Sequence, residues 1–303
     1  AKVWAVALGI DASGVEPWHW QALRESRFPR VVLLALVGAA LAASGAALQS
    51  TFRNPMADPT ILGVSGGGAL GAVLAVRTGL ADDSILALTF CAFVGALSAA
   101  LIVHVLAHVA SRPSTTSLLL TGVAVSSLTS ACVSLVMVTT DEFQLKNILF
   151  WLVGGAEGRS WEHVRFSALP IFLASALLLA LHRTIDALGT GEDHALSVGV
   201  SVVRSRLVVL SLCALASGAA VAVAGPVAFV GLMVPNGLRL MVGSRTIALL
   251  PASVLGGAAF LVLCDLATRV AFPDRVVPVG LLTSLLGVPY FLILLVGSRR
   301  AVR

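Results

Sequence analysis

Lysine is almost missing: Lys2 and Lys146 are the two in 303 residues, and neither closes a GxxxxGK[ST] pattern. A phosphate-binding loop needs that lysine on the phosphates and the next hydroxyl on magnesium, so this polypeptide is not itself a P-loop ATPase. Charge of either sign is scarce at 12% of residues, against roughly 25% in soluble domains. The four cysteines, Cys91, Cys132, Cys213 and Cys264, are widely separated in apolar stretches, which excludes both zinc-ligand spacing and a disulfide framework. HExxH and CxxC are absent as well, leaving an intramembrane enzyme without a recognisable metal set. Arginines stand singly or in pairs between apolar runs, with no basic stripe or aromatic platform to hold nucleic acid. Ser65-Gly66-Gly67-Gly68 follows a loop and opens an apolar run; with no strand before it, close helix packing accounts for it better than dinucleotide binding.

What is present is apolar: 58% of the residues, with 28 glycines. A bilayer core of about 30 Å needs roughly 20 apolar residues per helix. Spans are expected near 31–49, 61–78, 85–110, 117–140, 164–181, 206–226, 229–243, 248–270 and 277–297. Residues 1–10 are too short to cross and read as the end of a further helix, which gives an all-α, polytopic protein of about ten spans in a single domain, the first span incomplete. If the first full span runs inward, Arg53, Arg112, Arg183, Arg204, Arg206, Arg245 and the Arg299, Arg300, Arg303 tail share one side. Cytoplasmic loops tend to carry the bases, which places that side in the cytoplasm; the basic bias is slight, because Arg24, Arg27, Arg30, Arg77, Lys146, Arg159, Arg165, Arg269 and Arg275 fall outside, and the acidic residues Asp82, Asp83, Asp141, Glu142, Glu157 and Asp274 on that outer side support the placement.

Gly225, Pro226, Gly231 and Pro235 crowd the run GPVAFVGLMVP. Proline removes a backbone donor, so a short or interrupted span is expected there, tolerated only where protein or a water-filled path covers the freed groups. Residues 30–47 and 206–224 both begin with arginine and turn small-residue-rich before a Pro/Gly break. In opposite directions across the bilayer, they read as halves of an inverted repeat. Asp265 lies four residues before Arg269, the spacing of an ion pair on one helix face. His104 and His108 also share a face and are read as packed or solvated rather than as ligands; no metal site is expected.

The segments Arg27-Phe28-Pro29-Arg30, GAALAASGAALQSTFRNPMADPTILGVSGGGALG at 38–71, GPVAFVGLMVPNGLR at 225–239, LLPASVLGG at 249–257, Pro278-Val279-Gly280 and Gly287-Val288-Pro289 occur in that order along the chain. In this succession the sequence resembles the permease subunits of the vitamin B12, siderophore and haem ABC importers, the type II importers. Asn236 stands where the family often has histidine, and Val277 where it often has glutamate. The resemblance implies the type II permease fold in a bacterial inner membrane. It also implies a homodimer with two ATPase subunits below and a periplasmic or other external substrate-binding protein above. ATP and magnesium would sit on the ATPase, no cofactor on this chain. Haem is the cargo ranked first, on the long Gly/Ala-rich motif, followed by ferric siderophores and vitamin B12. An ion-coupled secondary transporter is the alternative class.

Carried over residue by residue, the resemblance makes Arg27, Arg30 and Arg269 sockets for acidic residues of the binding protein, a role that suits a permanently charged planar fork. His182 to Val203 becomes the coupling segment, with Gly189, Glu192, Ala195, Leu196 and Gly199 at or near the ATPase groove; Leu188, Ala195, Leu196 and Val198 are its apolar candidates for partner contact. Ser114, Thr115 and Thr116 can cap a helix start and, by resemblance, line a cytoplasmic gate. Asn54, Pro55, Asp58 and Pro59 read as helix-end architecture, as do Gly225, Pro226, Gly231, Pro235 and Asn236: the prolines stop helices, while the polar side chains satisfy freed backbone groups.

Overall fold

The computed structural model describes residues 17–110 and 115–300, so the expected helix end at 1–10 lies outside the described residues. Every regular element among them is helical. Helix α1 (Pro17–Ala22) passes through a π-helical turn at Leu23–Arg27 into α2 (Phe28–Phe52), then α3 (Val64–Arg77), the single turn α4 (Leu80–Asp83), α5 (Ala87–Ala110) and α6 (Thr115–Val138). There follow α7 (Glu142–Val153), α8 (Trp161–Ala180), α9 (His182–Thr190), α10 (Glu192–Ser197), α11 (Val202–Ala224), α12 (Val230–Val242), α13 (Thr246–Ala271) and α14 (Val279–Arg300).

Seven of these helices are long and apolar enough to cross a membrane. The span expected at 61–78 is shorter, as α3 with 14 residues, and the short span expected at 229–243 is α12 with 13. At 1.5 Å per residue each covers only about 20 Å, less than the bilayer core. Helix α7 lies between the spans expected at 117–140 and 164–181; it is too short to cross, and Asp141 caps it by accepting from the Gln144 N–H at 3.0 Å.

The two most enclosed spans are those containing α2 and α11, with 78% and 72% of their most apolar stretches buried, against 22% for α6 and α14. Lipid tails are as apolar as leucine, so helices in a bilayer gain by close approach of small residues. That is how α2 is gripped. A Cβ on Gly38 would stand 2.1 Å from the Gly257 carbonyl oxygen in α13, and one on Gly45 would stand 1.9 Å from that of Gly231 in α12. Helices α3 and α5 meet the same way, a Cβ on Gly67 lying 2.3 Å from the Gly95 oxygen. Alanines complete the contacts: Ala40, Ala42, Ala43, Ala216, Ala219 and Ala220 have no exposed surface.

Helix α2 closes in a Schellman arrangement: Arg53 adopts φ 53°, the Asn54 N–H reaches the Gln49 carbonyl at 3.1 Å, and the Arg53 N–H reaches that of Ser50 at 3.4 Å. The chain then turns at Pro55, and Asp58 starts a 3-10 turn (Pro59–Leu62) by accepting from the Thr60 N–H at 2.9 Å.

Candidate functional site

Three groups of candidate residues lie along the axis of α2. At its start, Arg30 is turned inward. Its guanidinium grips Asp265 of α13 through Nε, at 3.2 Å from both carboxylate oxygens, and through Nη2, which also reaches Glu157 at 2.9 Å. Arg269 joins the same carboxylate, Nε to Oδ2 at 3.2 Å, so the i,i+4 pair exists within a larger cluster. The exposures of these side chains differ in a way that sorts their roles: Asp265 7%, Arg30 12%, Glu157 26%, Arg269 44%. Arg30 is an internal tie between α2, α13 and the 154–160 loop; Arg27, in the π turn, and Arg269 keep accessible charge. Nearby, the Trp161 indole N–H donates to the Arg24 carbonyl at 2.7 Å and fixes the π turn against α8. In the same loop, burial lowers the Arg159 guanidinium from its ordinary value, and the Glu157 carboxylate partly offsets that.

Midway along α2 lies the interruption between α11 and α12. Residues 225–229 are not helical: Gly225 has φ 69° and Phe229 φ 67°. Phe229 is strained there, because a side chain in the left-handed region costs of order 1 kcal/mol or more. Its ring fills the space over Gly287, where a Cβ would come within 2.1 Å of it. The outer end of this segment is held by 151–155: the Gly155 N–H donates to the Ala224 carbonyl at 2.7 Å, and a Cβ on Gly154 would meet the Pro226 oxygen at 2.1 Å.

Pro235 does not end α12; it lies inside the helix. It has no N–H to offer the Gly231 carbonyl four residues earlier. Gln49 replaces that donor, its Nε2 lying 3.0 Å from the Gly231 oxygen. Asn236 Nδ2 binds both the Leu232 carbonyl at 2.9 Å and the Pro55 carbonyl at 2.7 Å, pinning the 53–58 turn to α12. Asn54 Oδ1 accepts from the Met56 N–H at 2.9 Å. Pro59 and Asp58 abut Gly231, where a Cβ would stand 2.7 Å from Pro59 Cδ and 3.1 Å from Asp58 Oδ2. Burial raises the Asp58 carboxyl above its usual range, the Thr60 hydrogen bonds only partly opposing it.

At the far end, α9 follows α8 after one residue, and α10 follows at Gly191, which has φ 135°. The sequence groups Leu188, Ala195, Leu196 and Val198 as partner contacts, and the fold divides them. Leu188 and Ala195 are buried against Val202 and hold the two short helices together, whereas Leu196 and Val198 are 60% and 56% exposed. Gly189 lets α9 approach the end of α2, a Cβ there being 3.2 Å from the Ser50 oxygen. Gly199 turns the chain with φ 80°. Glu192 pairs with Arg206 of α11 at 2.8 Å, and Arg206 also lies over the Phe52 ring at 6.0 Å. Asp186 accepts from both the N–H, at 2.9 Å, and the hydroxyl of Thr246, the first residue of α13. A carboxylate there satisfies an orphan donor and complements the helix dipole. Ser114 lies outside the described residues, and Thr115 and Thr116 form the first turn of α6.

Gln49, Asp186 and the Glu157 contact are absent from the sequence reading. Gln49 carried a signal: a glutamine in a run of alanine and glycine has no apolar reason to be there. Asp186 and Glu157 act across 60 and 127 residues, a separation at which no local spacing rule operates.

The profile of the FecCD transport family matches residues 1–297. The chain is 43% identical over 269 residues to the cobalamin import system permease protein BtuC of Halobacterium salinarum, covering 89% of this chain and 72% of that one. It is 37% identical over 283 residues to the hemin transport system permease protein HmuU of Yersinia pestis, covering 92% of this chain and 84% of the relative. A solved ABC transporter in an inward-facing conformation is similar with a TM-score of 0.85 and 32% identity, over 97% of this chain and 94% of that chain.

Proposed function

The chain belongs to the FecCD transport family, the permeases of type II ABC importers, and on that premise we propose that two copies form the membrane pathway of an ATP-driven importer of bulky metal chelates. It acts in the bacterial inner membrane, with separate ATPase subunits beneath and an external binding protein above. The observation that carries this reading is the clamping of α9 and α10. Asp186 ties α9 to the first residue of α13, Glu192 ties α10 to α11, and Leu196 and Val198 are left bare. A partner that seats on those two side chains moves α11 and α13, and through the glycine contacts α2, as one body.

ATP and magnesium bind the partner, and nucleotide drives the cycle only through its different affinity for the two conformations. On the outside, Arg27 and Arg269 receive carboxylates of the binding protein, while Arg30 positions Arg269 through their shared Asp265. Ser114, Thr115 and Thr116 remain the proposed cytoplasmic gate. For cargo, the haem preference drawn from the Gly/Ala-rich motif stands beside cobalamin, since relatives named for each are 37% and 43% identical.

The test is reconstitution in nanodiscs with the ATPase subunits and the binding protein loaded in turn with haem, a ferric siderophore or cobalamin, with uptake followed in proteoliposomes. One cargo is expected to stimulate hydrolysis and accumulate. Leu196→Glu with Val198→Glu is expected to uncouple hydrolysis from uptake, and Arg27→Glu with Arg269→Glu to abolish stimulation by the binding protein. Accumulation by the purified chain alone, or labelling of Gly199→Cys from outside, refutes the reading.

A further inference from the structure

A cavity of about 570 Å³ opens beside α9, at the end of α2 and between α12 and α13. Its wall carries three guanidiniums: Arg53 after α2, Arg239 in α12 and Arg245 before α13. None of the three forms an ion pair with a carboxylate among the described residues. The one carboxylate in the wall, Asp186, already accepts two hydrogen bonds from Thr246. With three guanidiniums against one carboxylate, the site carries a net positive charge.

Two further observations narrow the ligand. Gln49, 2% exposed, forms part of the wall; its Nε2 serves the Gly231 carbonyl, and its Oε1 has no hydrogen-bond partner. A buried acceptor of this kind calls for a donor. Next to the arginines in sequence, Leu240, Met241 and Ile247 are 90%, 81% and 53% exposed, so aliphatic surface borders the charge. An anion with a hydroxyl and attached hydrocarbon meets all three conditions, and basic pockets between helices on the cytoplasmic side suit such headgroups.

We propose that this cleft holds the headgroup of an anionic phospholipid with a hydroxylated headgroup, of the phosphatidylglycerol kind. The phosphate sits among Arg53, Arg239 and Arg245, a headgroup hydroxyl donates to Gln49 Oε1, and the chains lie along Leu240, Met241 and Ile247. The lipid is thereby wedged among α2, α9, α12 and α13, the elements that the proposed coupling movement must shift. Its placement in the inner leaflet rests on the orientation adopted under the proposed function, whereas binding itself does not.

The experiment is native mass spectrometry of the purified chain in neutral detergent with equal phosphatidylglycerol and phosphatidylcholine. The wild type is expected to retain phosphatidylglycerol preferentially. Each of Arg53→Gln and Arg245→Gln, at exposed positions that leave the packing intact, is expected to weaken retention roughly 5-fold, from about 1 kcal/mol per basic residue. Arg204→Gln, which removes an exposed base that does not line the cleft, is expected to leave it unchanged. Equal loss in that control, or no loss in the two single variants, overturns the proposal. Displacement by millimolar inorganic phosphate overturns the lipid as the source of the anion, and loss of the adduct on assembly with the ATPase assigns the cleft to that partner instead. Because the measurement is made in detergent, it does not depend on sidedness, which the Gly199→Cys labelling reports separately.

Discussion

Gln49→Leu isolates the most unusual hydrogen bond in the protein. Gln49 Nε2 stands in for the backbone donor that Pro235 lacks, 3.0 Å from the Gly231 oxygen. An orphaned buried carbonyl costs about 1–3 kcal/mol. Leucine also removes the unpartnered Gln49 Oε1, a partial offset, so the expected net loss is about 1–2 kcal/mol. The decisive comparison is with Pro235→Ala. Alanine restores an N–H that points along α12 to Gly231, so Gln49→Leu in that background is expected to cost less than about 0.5 kcal/mol. A double-mutant cycle read by reversible unfolding in mixed micelles measures the coupling directly. If Gln49→Leu costs the same with proline or alanine at 235, the two residues do not share the Gly231 carbonyl and the reasoning fails.

Gly38→Ala and Gly45→Ala are each expected to cost about 3 kcal/mol or more and lower the melting temperature in detergent, because the new methyl falls 2.1 and 1.9 Å from a carbonyl oxygen of a facing helix. Gly237→Ala, with nothing within 4 Å of its Cβ position, is expected to be neutral or slightly stabilising in the same melt. Asp186→Ala is expected to lose about 1–2 kcal/mol through the uncapped α13 and to reduce ATPase coupling, with Asp186→Asn intermediate in both assays. Asp58, whose carboxyl is raised by burial, binds a proton more readily folded than unfolded between its unfolded and folded pKa values. Its contribution to stability is therefore fullest below the unfolded value of 3.8 and declines as pH rises through the folded one. Wild type minus Asp58→Asn stability is expected to increase as pH is lowered from 7 toward 4; a flat or opposite trend refutes the assignment.

Much of the fold was legible in the sequence because a helix in lipid satisfies its own backbone, so a run of apolar residues is sufficient evidence for it. The spans at 31–49, 85–110, 117–140, 164–181, 206–226, 248–270 and 277–297 correspond to the seven long helices. The short helices were harder to read. Hydropathy continues across α3 without revealing that it is too short for the bilayer, whereas the glycines and prolines around Pro226 and Pro235 already marked α12 as short. In α7 the pair Asp141 and Gln144 had the spacing of a helix start, but nothing in the apolar pattern separated it from a loop.

The sequence by itself determined that the chain is a polytopic helical protein with no P-loop, interrupted near Pro226, because apolar run length, missing donors and missing lysines are local properties. Only the tertiary structure decided that Gln49 supplies the donor Pro235 cannot, that Arg30 is spent on Asp265 and Glu157 rather than left open, and that Ala195 faces inward while Leu196 faces out. Each of these depends on which distant segment comes within hydrogen-bond or van der Waals reach, and that is set by how closely glycine lets the helices approach.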